Sequence, residues 1–251
     1  NILLIGLGNM GKIHKRVIEN NDDTNLFGIV DTSFKKKHET INGVEYFNEL
    51  QLVNLDDGLI DAVVISSTTS THYKIAEKFL ARKIPVLVEK PMTTNTKDAL
   101  EVQKILKEKG VELFTPYGFN WNPLMAKAES FVADGIIGNI KHVHSSFSSS
   151  LVDLFQGIPL SESDEHTFQP KASTWSDPAK AGGYGWGQLS HMFAGVYKVT
   201  KLNPEKVFCL SVPSPTGVDY TDAISIKFEE GSTGAFSGSA YVPKGYGGGY
   251  N

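Results

Sequence analysis

The chain has 251 residues, 40% of them hydrophobic and 21% charged, which is typical of a globular protein with one large or two ordinary domains. A formal net charge of −4 and an isoelectric point near 6.0 exclude the basic surface of a nucleic-acid-binding protein and a polybasic membrane-surface segment. The single cysteine, Cys209, excludes a disulfide within the chain and predicts a cytoplasmic protein, with this thiol buried in an apolar strand.

The first part of the chain alternates apolar runs with helical stretches. The predicted strands are short and apolar throughout, at residues 2–5, 26–30, 62–65, 86–88 and 111–114. The predicted helices separate them, at residues 10–20, 32–39, 69–81 and 97–109. Apolar strands that alternate with helices predict a parallel sheet covered on both faces, so we expect a doubly wound α/β domain of the Rossmann type.

The pattern changes in the second part of the chain. Helices are predicted at 124–133 and 187–200, and strands at 140–148, 206–212, 222–228 and 233–241. The polar stretch 149–181 predicts a functional loop or a lid, and strands separated by turn signals predict an antiparallel meander. We therefore expect a Rossmann dinucleotide-binding domain, 1–118, and an α+β substrate domain with an open, mostly antiparallel sheet, 119–251, which looks incomplete at its C-terminal side.

A glycine-rich turn follows the first predicted strand and opens the first predicted helix. Its sequence is Gly6-Leu7-Gly8-Asn9-Met10-Gly11. In this context the first glycine permits a tight turn, the second lets the backbone approach a pyrophosphate, and the third lets helix and strand pack closely. The helix N-terminus then offers N–H groups to phosphates, so the turn predicts a dinucleotide site.

Asp31 ends the second predicted strand, about twenty residues after Gly11. A carboxylate at this position accepts hydrogen bonds from the adenine-ribose hydroxyls and repels the extra phosphate of NADP, so NAD is the preferred cofactor. The lysines at 35–37 keep NADP as an alternative. Asp31 also suits the cap of the following predicted helix, and the two roles are compatible.

Two further loops lie at carboxyl ends of predicted strands, where open α/β sheets bind their ligands. The first is Ser66-Ser67-Thr68-Thr69, whose hydroxyls suit ligand binding and helix capping equally, with His72 in the next helical turn. The second is Glu89-Lys90-Pro91, where a lysine ammonium can stabilise a substrate alkoxide. Taken alone, His72 is better read as structural and Lys90 as a surface lysine.

Several motifs of the chain resemble those of one family. They are the glycine turn, the stretch from Ser67 to His72, Val88-Glu89-Lys90-Pro91-Met92, Tyr117-Gly118-Phe119-Asn120-Trp121-Asn122-Pro123, and the run from Trp175-Ser176-Asp177-Pro178 through Ala181-Gly182-Gly183 to His191. On these motifs the chain resembles the Gfo/Idh/MocA family, which includes glucose–fructose oxidoreductase and inositol 2-dehydrogenase, over essentially its whole length.

The resemblance implies hydride transfer between a nicotinamide cofactor and a carbon of a sugar, polyol or inositol. It implies that Lys90 polarises the substrate oxygen and that His191 relays the proton, which suits an imidazole that titrates near neutral pH. The chain departs from the family pattern at Gly187, where many members have an aspartate, and at Trp121, where an arginine is common. Gln188 can hydrogen-bond a substrate but cannot act as a base, so these departures predict an atypical substrate.

The predicted site residues fall into two groups, and no metal ligands are predicted. The expected cofactor contacts are Gly6, Gly8, Asn9, Met10, Gly11, Asp31, Ser67, Thr68, His72, Glu89 and Lys90. The expected substrate contacts are Lys90, Asn120, Trp121, Gln188 and His191. The resemblance also implies a homo-oligomer, a dimer or tetramer, formed through the open sheet. Gly187 motivates the alternative of a catalytically inactive sensor or scaffold that binds NAD(P).

Overall fold

A computed structural model of the protein describes residues 1–159 and 171–243. The chain forms two compact units, one comprising residues 1–116 and one beginning at Tyr117. Among the helices in the described ranges, none combines the length and the apolar character needed to cross a membrane.

The first unit is built on a seven-stranded sheet in the order β3-β4-β2-β1-β5-β6-β7. Its strands are β1 (Ile2–Ile5), β2 (Leu26–Val30), β3 (His38–Ile41), β4 (Val44–Phe47), β5 (Ala62–Ile65), β6 (Val86–Val88) and β7 (Leu113–Phe114). All neighbouring strands pair in parallel except β3 and β4. This is the Rossmann-type sheet that the apolar runs predict.

Three α-helices pack on this sheet, α1 (Asn9–Glu19), α2 (His72–Leu80) and α3 (Thr96–Lys109). A 3-10 turn, Thr69–Thr71, leads into α2. Asn95 caps the start of α3 by accepting the N–H of Asp98 with its side chain, and Gly110, which has φ of 61°, follows the last residue of the helix. The buried faces of the helices and both faces of β1 and β5 form the core, with Leu3, Leu4 and Val63 nearly or fully inaccessible to solvent.

The helix predicted at 32–39 is wrong. The structure has turns there and then a hairpin, β3 and β4, joined by Asn42 and Gly43 at φ of 51° and 81°. Positive φ at both central residues is typical of a type I′ hairpin turn, and Asn-Gly is the sequence signal for it. The lysine-rich stretch before the hairpin has good helix propensity, but strand pairing of β4 with β2 overrides it.

The second unit contains a four-stranded sheet in the order β8-β11-β10-β9. Its elements are α4 (Pro123–Ala133), β8 (His142–Ser148), α5 (Val152–Phe155), α6 (Ala172–Trp175), α7 (Ser190–Thr200), β9 (Pro204–Pro213), β10 (Asp219–Phe228) and β11 (Thr233–Ser239). The meander β9-β10-β11 is antiparallel, and β8 joins β11 in parallel. The sheet is therefore mostly antiparallel, as expected for the α+β domain.

One face of this sheet is buried and the other is open. Phe236 and Ile226 point to the buried face and pack with Tyr184 and Leu189. On the opposite face, strand alternation places Phe208 and its neighbours in solvent. Strand β9 lies at the edge of the sheet and is exposed on both faces.

Two details of the second unit differ from the predictions. The stretch 149–181, predicted as a loop, contains two short helices, α5 and α6, in its described part, while residues 160–170 lie outside the described ranges. Cys209 is exposed, so the prediction of a buried thiol is wrong. Its apolar neighbours suggested burial, but β9 is an edge strand that no helix of the described residues covers.

Candidate functional site

The carboxyl ends of three strands bring the predicted loops of the first unit side by side. Ile5 of β1 pairs with Ile65 of β5, and Ile65 pairs with Val88 of β6. The residues that follow each strand therefore leave the sheet along one edge. Ligands of open α/β sheets bind at this edge, so the glycine turn and both later loops occupy one candidate site.

The glycine turn is shaped by close backbone contacts. Gly6 has φ of 92°, and a Cβ atom there would lie 2.6 Å from the backbone nitrogen of Ser67. A Cβ atom on Gly11 would lie 2.0 Å from the carbonyl oxygen of Gly6. At Gly8, by contrast, no atom of the described residues lies within 4 Å of the position a Cβ would take. Two glycines are therefore required by the fold, and the middle one leaves space above the backbone.

This space fits a dinucleotide pyrophosphate. Helix α1 begins at Asn9 immediately after Gly8, which has no side chain to cap the first turn. The first turn also contains no acidic residue. Backbone N–H groups and the positive end of the helix dipole thus face the space above Gly8, which is the arrangement that binds phosphate oxygens.

Asp31 follows β2 and is already part of the turn's hydrogen-bond network. One oxygen, Oδ2, accepts the N–H of Leu7 at 2.6 Å. The other, Oδ1, accepts the N–H of Ser33 at 2.8 Å and its hydroxyl at 2.6 Å. These hydrogen bonds hold the carboxylate of Asp31 beside the glycine turn at the end of β2, the position at which an acidic side chain binds a ribose hydroxyl in dinucleotide-binding sheets. No helix follows Asp31, so the predicted capping role is wrong.

The loop after β5 is tied to the glycine turn and to the loop after β6. Ser66 donates its hydroxyl to the carbonyl oxygen of Gly6 at 2.8 Å, and Ser67 Oγ lies 2.7 Å from Thr71 Oγ1. Thr68 is exposed, and its side chain makes no hydrogen bond to the helical turn that follows. The alternative that the hydroxyl of Thr68 caps this turn is therefore wrong.

His72 is a support of these loops rather than a surface group. Its side chain is 1% exposed, Nδ1 lies 3.0 Å from the carbonyl oxygen of Pro91, and Nε2 lies 3.0 Å from that of Ser67. Burial lowers the pKa of His72, against the opposing effects of these two hydrogen bonds and of the charge on Glu89. A ring enclosed in this way holds the loops after β5 and β6 together, and the contact of His72 with the cofactor stays a prediction.

Lys90 lies in the loop after β6 and is partly buried. Burial lowers the pKa of its ammonium group, and the charge of Glu89 opposes that effect. Glu89 is itself 8% exposed, and its Oε1 lies 2.7 Å from Nε2 of His14 on α1. The loop therefore presents a lysine whose charge is balanced by its neighbours, which is the property expected of a group that stabilises a developing alkoxide.

The second unit places His191 at the start of α7, directly after a π-helical turn, Gly185–Leu189. Single π turns within helices are frequent at functional sites. The imidazole is partly buried and meets the rings of Tyr117 and Phe119 edge to face, with both centroids 5.6 Å away. These contacts fix the plane of the ring.

Two buried amide oxygens accompany His191 in the same unit. Oε1 of Gln188, one turn before His191, and Oδ1 of Asn120, next to Phe119, are both buried and have no hydrogen-bond partner in the part of the chain that the structure describes. A buried acceptor without a donor is costly unless a ligand or water supplies one. Trp121, the remaining predicted substrate contact of this unit, is 69% exposed and presents its ring to solvent.

Comparison with known families identifies the chain. Residues 1–117 match the model of an oxidoreductase family with an NAD-binding Rossmann fold, and residues 125–251 match the GFO/IDH/MocA C-terminal domain. The chain belongs to the GFO/IDH/MocA oxidoreductase family. Its first unit is thus an NAD-binding Rossmann domain, as the glycine turn and Asp31 predict.

Curated relatives are similar to a little over half of the chain. Inositol 2-dehydrogenase of Rhizobium meliloti is 27% identical over 142 residues, which are 56% of this chain and 42% of that protein. Myo-inositol 2-dehydrogenase of Thermotoga maritima is 31% identical over 139 residues, 54% of this chain and 41% of that protein. The matched part is therefore less than half the length of either relative.

Solved structures share the fold over nearly the whole chain. The WlbA dehydrogenase of Bordetella pertussis, solved with NADH and UDP-GlcNAcA, aligns with a TM-score of 0.77 at 20% identity, covering 97% of this chain and 71% of that one. GenD2 from gentamicin A biosynthesis, solved with NAD, aligns with a TM-score of 0.75 at 24% identity, covering 97% and 66%. At these identities the likeness establishes the fold.

The departure from the GFO/IDH/MocA pattern at Gly187 has a structural reason. A Cβ atom on Gly187 would lie 2.7 Å from Cζ3 and 3.1 Å from Cη2 of Trp175. The indole of Trp175 stacks on Phe155 with a centroid distance of 6.0 Å, so its position is set by the core. Trp175 therefore fills the space that an aspartate side chain at residue 187 would need.

Sequence reasoning missed three contributors to these sites. They are His14, which contacts Glu89, Trp175, which covers Gly187, and Asp219, which accepts the N–H of Gly185 at 2.6 Å. The sequence signal for His14 was its own position, since it is a polar residue in the middle of α1 on the side that packs on the sheet. The other two pairings depend on tertiary packing and leave no periodic pattern in the sequence.

Proposed function

We propose that the protein is an NAD-dependent dehydrogenase that oxidises a hydroxyl group of an inositol, sugar or related polyol, or reduces the corresponding carbonyl. Both curated relatives described above are named inositol 2-dehydrogenases, which supports this substrate class. The observation that carries the proposal is Lys90, a partly buried lysine with a lowered pKa at the ligand-binding edge of an NAD-binding sheet.

The cofactor is proposed to bind at the glycine turn. Bound NAD supplies the two-electron oxidant for the alcohol, or the reductant in the reverse direction. The N–H groups of Asn9, Met10 and Gly11 would hold its pyrophosphate, and the carboxylate of Asp31 would accept a ribose hydroxyl. Ser67, Thr68 and the loop of Glu89 and Lys90 line the same edge and position the rest of the cofactor.

Lys90 is proposed to bind the substrate oxygen. Its ammonium group donates a hydrogen bond to the hydroxyl that is oxidised and stabilises the negative charge that develops on this oxygen. Because burial lowers its pKa, the ammonium is a stronger hydrogen-bond donor than an exposed lysine. A positive charge fixed before the reaction stabilises the alkoxide with little reorganisation.

His191 is proposed to accept the hydroxyl proton, and the amides are proposed to orient the substrate. A neutral imidazole can take a proton near neutral pH and return it in the reverse reaction. The buried oxygens of Gln188 and Asn120 accept hydrogen bonds from neighbouring substrate hydroxyls, which satisfies two otherwise unpartnered acceptors of the described structure. Trp121 offers an exposed ring for stacking on the face of a sugar or cyclitol.

The experiment is an assay of NADH formation with a panel of inositols and sugars, with NAD and NADP in parallel. We expect turnover with NAD, and we expect Lys90→Ala to lower kcat by about 100-fold or more because alkoxide stabilisation is lost. Lys97→Ala removes an exposed lysine at the start of α3 and serves as the matched control. Wild-type turnover in Lys90→Ala, with NAD affinity unchanged, would refute the assignment.

A second candidate is a catalytically inactive sensor or scaffold that binds NAD(P). The observation that favours it is Trp175, whose ring excludes an acidic side chain at residue 187. NAD binding by calorimetry without turnover across the panel supports this alternative. Turnover that depends on His191 eliminates it, and His142→Ala, an exposed histidine on β8, controls for the loss of an imidazole.

We also propose that the protein forms a cytoplasmic homo-oligomer. The support for self-association is the open face of the four-stranded sheet, where Phe208 and Leu210 are each 64% exposed. Apolar side chains exposed together on a sheet mark a surface that a partner covers. The single exposed thiol, Cys209, is compatible with a reducing compartment.

A further inference from the structure

We propose that Glu89 is the counter-charge that keeps Lys90 in its ammonium form, and that His14 is the positioning residue that holds Glu89 beside it. The inference rests on the proposed function of Lys90 and adds two residues of the first unit to it. It gives a role to the hydrogen-bonded contact of His14 and Glu89 between helix α1 and the loop after β6.

The pair is enclosed and well aligned. The side chains of His14 and Glu89 are 15% and 10% exposed, and Nε2 of His14 lies 2.7 Å from Oε1 of Glu89. The second oxygen, Oε2, accepts the backbone N–H of Lys90 at 3.2 Å. Both carboxylate oxygens of Glu89 are therefore engaged. One contacts His14 of α1, and the other accepts the backbone N–H of Lys90.

A packing role alone does not account for this pair. Removing a carboxylate from water has a large desolvation cost, and apolar side chains of similar volume would fill the same space without that cost. A buried charge also acts strongly on its neighbours, because the interior screens it weakly. The neighbour in question is Lys90, next to Glu89 in the chain and partly buried itself.

Burial and the charge of Glu89 have opposite effects on the pKa of Lys90. Burial lowers the pKa of Lys90, which favours the neutral amine, and the negative charge of Glu89 raises it again. A neutral amine is a weak donor and carries no charge to stabilise an alkoxide. The carboxylate therefore preserves the form of Lys90 that the proposed function needs.

His14 determines where that charge lies. It is located one turn beyond Gly11 in α1, so the helix that opens the cofactor site also carries the group that holds Glu89. Within the described first unit, the titratable groups that face Glu89 are His14 from α1, His72 from α2 and Lys90 from its own loop. Both nitrogens of His72 are directed at backbone carbonyls, so His14 is the side chain that orients the carboxylate.

The test is a pH titration of Lys90 in the full chain by NMR, with lysine labelled at Cε and the signal assigned by Lys90→Arg. In Glu89→Gln, which keeps the shape and removes the charge, we expect the Lys90 midpoint to move to lower pH. In His14→Leu we expect a smaller move in the same direction. In His14→Gln, whose amide can still donate to Glu89, the midpoint stays close to wild type.

A matched control and a fold check complete the design. Glu19→Gln removes a carboxylate from the more exposed Lys15–Glu19 pair of the same helix and leaves the Lys90 midpoint unchanged. An amide spectrum establishes that each variant is folded, and His14→Leu decides the question if Glu89→Gln does not fold. An unmoved midpoint in every folded variant of the pair overturns the inference.

This readout does not depend on turnover, so two failures can be told apart. If Lys90→Ala retains full activity while Glu89→Gln still shifts the titration, the proposed function fails and the electrostatic coupling stands. If Lys90→Ala is inactive and the titration of Lys90 is insensitive to Glu89, the proposed function stands and this inference is wrong.

Discussion

Gly8 and Gly11 of the first turn have different roles, and substitutions can distinguish them. Gly11 is crowded by the carbonyl of Gly6, whereas Gly8 faces open space and has an extended backbone at φ of −69° and ψ of −164°. Any L-residue can adopt the backbone of Gly8, so a methyl group there affects only what approaches from outside. The same methyl group on Gly11 affects the fold itself.

We expect Gly11→Ala to destabilise the protein by about 1–3 kcal/mol, because helix and strand must separate to admit the methyl group. Gly8→Ala should leave the free energy of unfolding within about 0.5 kcal/mol of wild type and weaken NAD binding instead. Urea denaturation and calorimetric NAD titration measure the two quantities. Equal losses of stability in both variants would contradict this division of tasks.

Gly187 and Trp175 are in close contact, and the indole ring of Trp175 leaves no space for a side chain at residue 187. Gly187→Asp should cost about 1–3 kcal/mol of folding stability, since its Cβ would overlap the indole at 2.7 Å. In the background of Trp175→Ala, the same substitution should cost less, with a coupling energy of at least about 0.5 kcal/mol. Thermal denaturation of the four proteins measures this cycle, and strict additivity would show that the two residues do not compete for space.

At the scale of elements, strand β10 holds the π-helical turn that precedes His191. Asp219 accepts the N–H of Gly185, and Asp222 on the same strand accepts the hydroxyl of Ser211 from β9. Burial raises the pKa of Asp222 to about 6, the bond from Ser211 opposes this, and the nearby Asp219 carboxylate adds to it. Asp219 and Asp222 thus lie close together where the sheet meets the π-helical turn.

The pH dependence of stability follows from Asp222. The pKa of Asp222 is raised in the folded state above the unfolded value of 3.8. The contribution of Asp222 to the free energy of unfolding is therefore fully present below pH 3.8 and is lost as the pH rises through about 6. Asp222→Asn removes the titration, and we expect the variant to gain about 2–3 kcal/mol relative to wild type between pH 4 and pH 8. Urea denaturation across this range measures it, with the exposed Asp23→Asn as the control. A constant difference between variant and wild type would disprove the prediction.

At the scale of the whole molecule, the open sheet face offers a test of self-association. Phe208→Glu places a charge among exposed apolar side chains, and we expect it to shift the protein toward monomers because an interface would have to bury that charge. Ile137→Glu adds the same charge at an exposed apolar position outside the sheet and is the control. Sedimentation of both variants measures the result, and an unchanged oligomer in Phe208→Glu would locate the interface elsewhere.

Local patterns were sufficient for much of the first unit. The strand bounds 2–5, 26–30, 62–65 and 86–88 agree with the structure because a strand buried on both faces must be apolar along its whole length. The same periodicity does not identify β3 and β4, which lie at the sheet edge and mix polar with apolar residues. There the Asn-Gly turn was the informative signal.

The dinucleotide site after β1 can be predicted from the residues alone, because a glycine turn between strand and helix is a local geometry. The side chains that surround Lys90 and Gly187 become known only from the packing of the folded chain. His14 and Glu89 are 75 positions apart, and their contact arises because parallel strands end at one edge beneath α1. Pairings of this kind depend on how layers pack, and packing between distant segments leaves no periodic trace in the residues that meet.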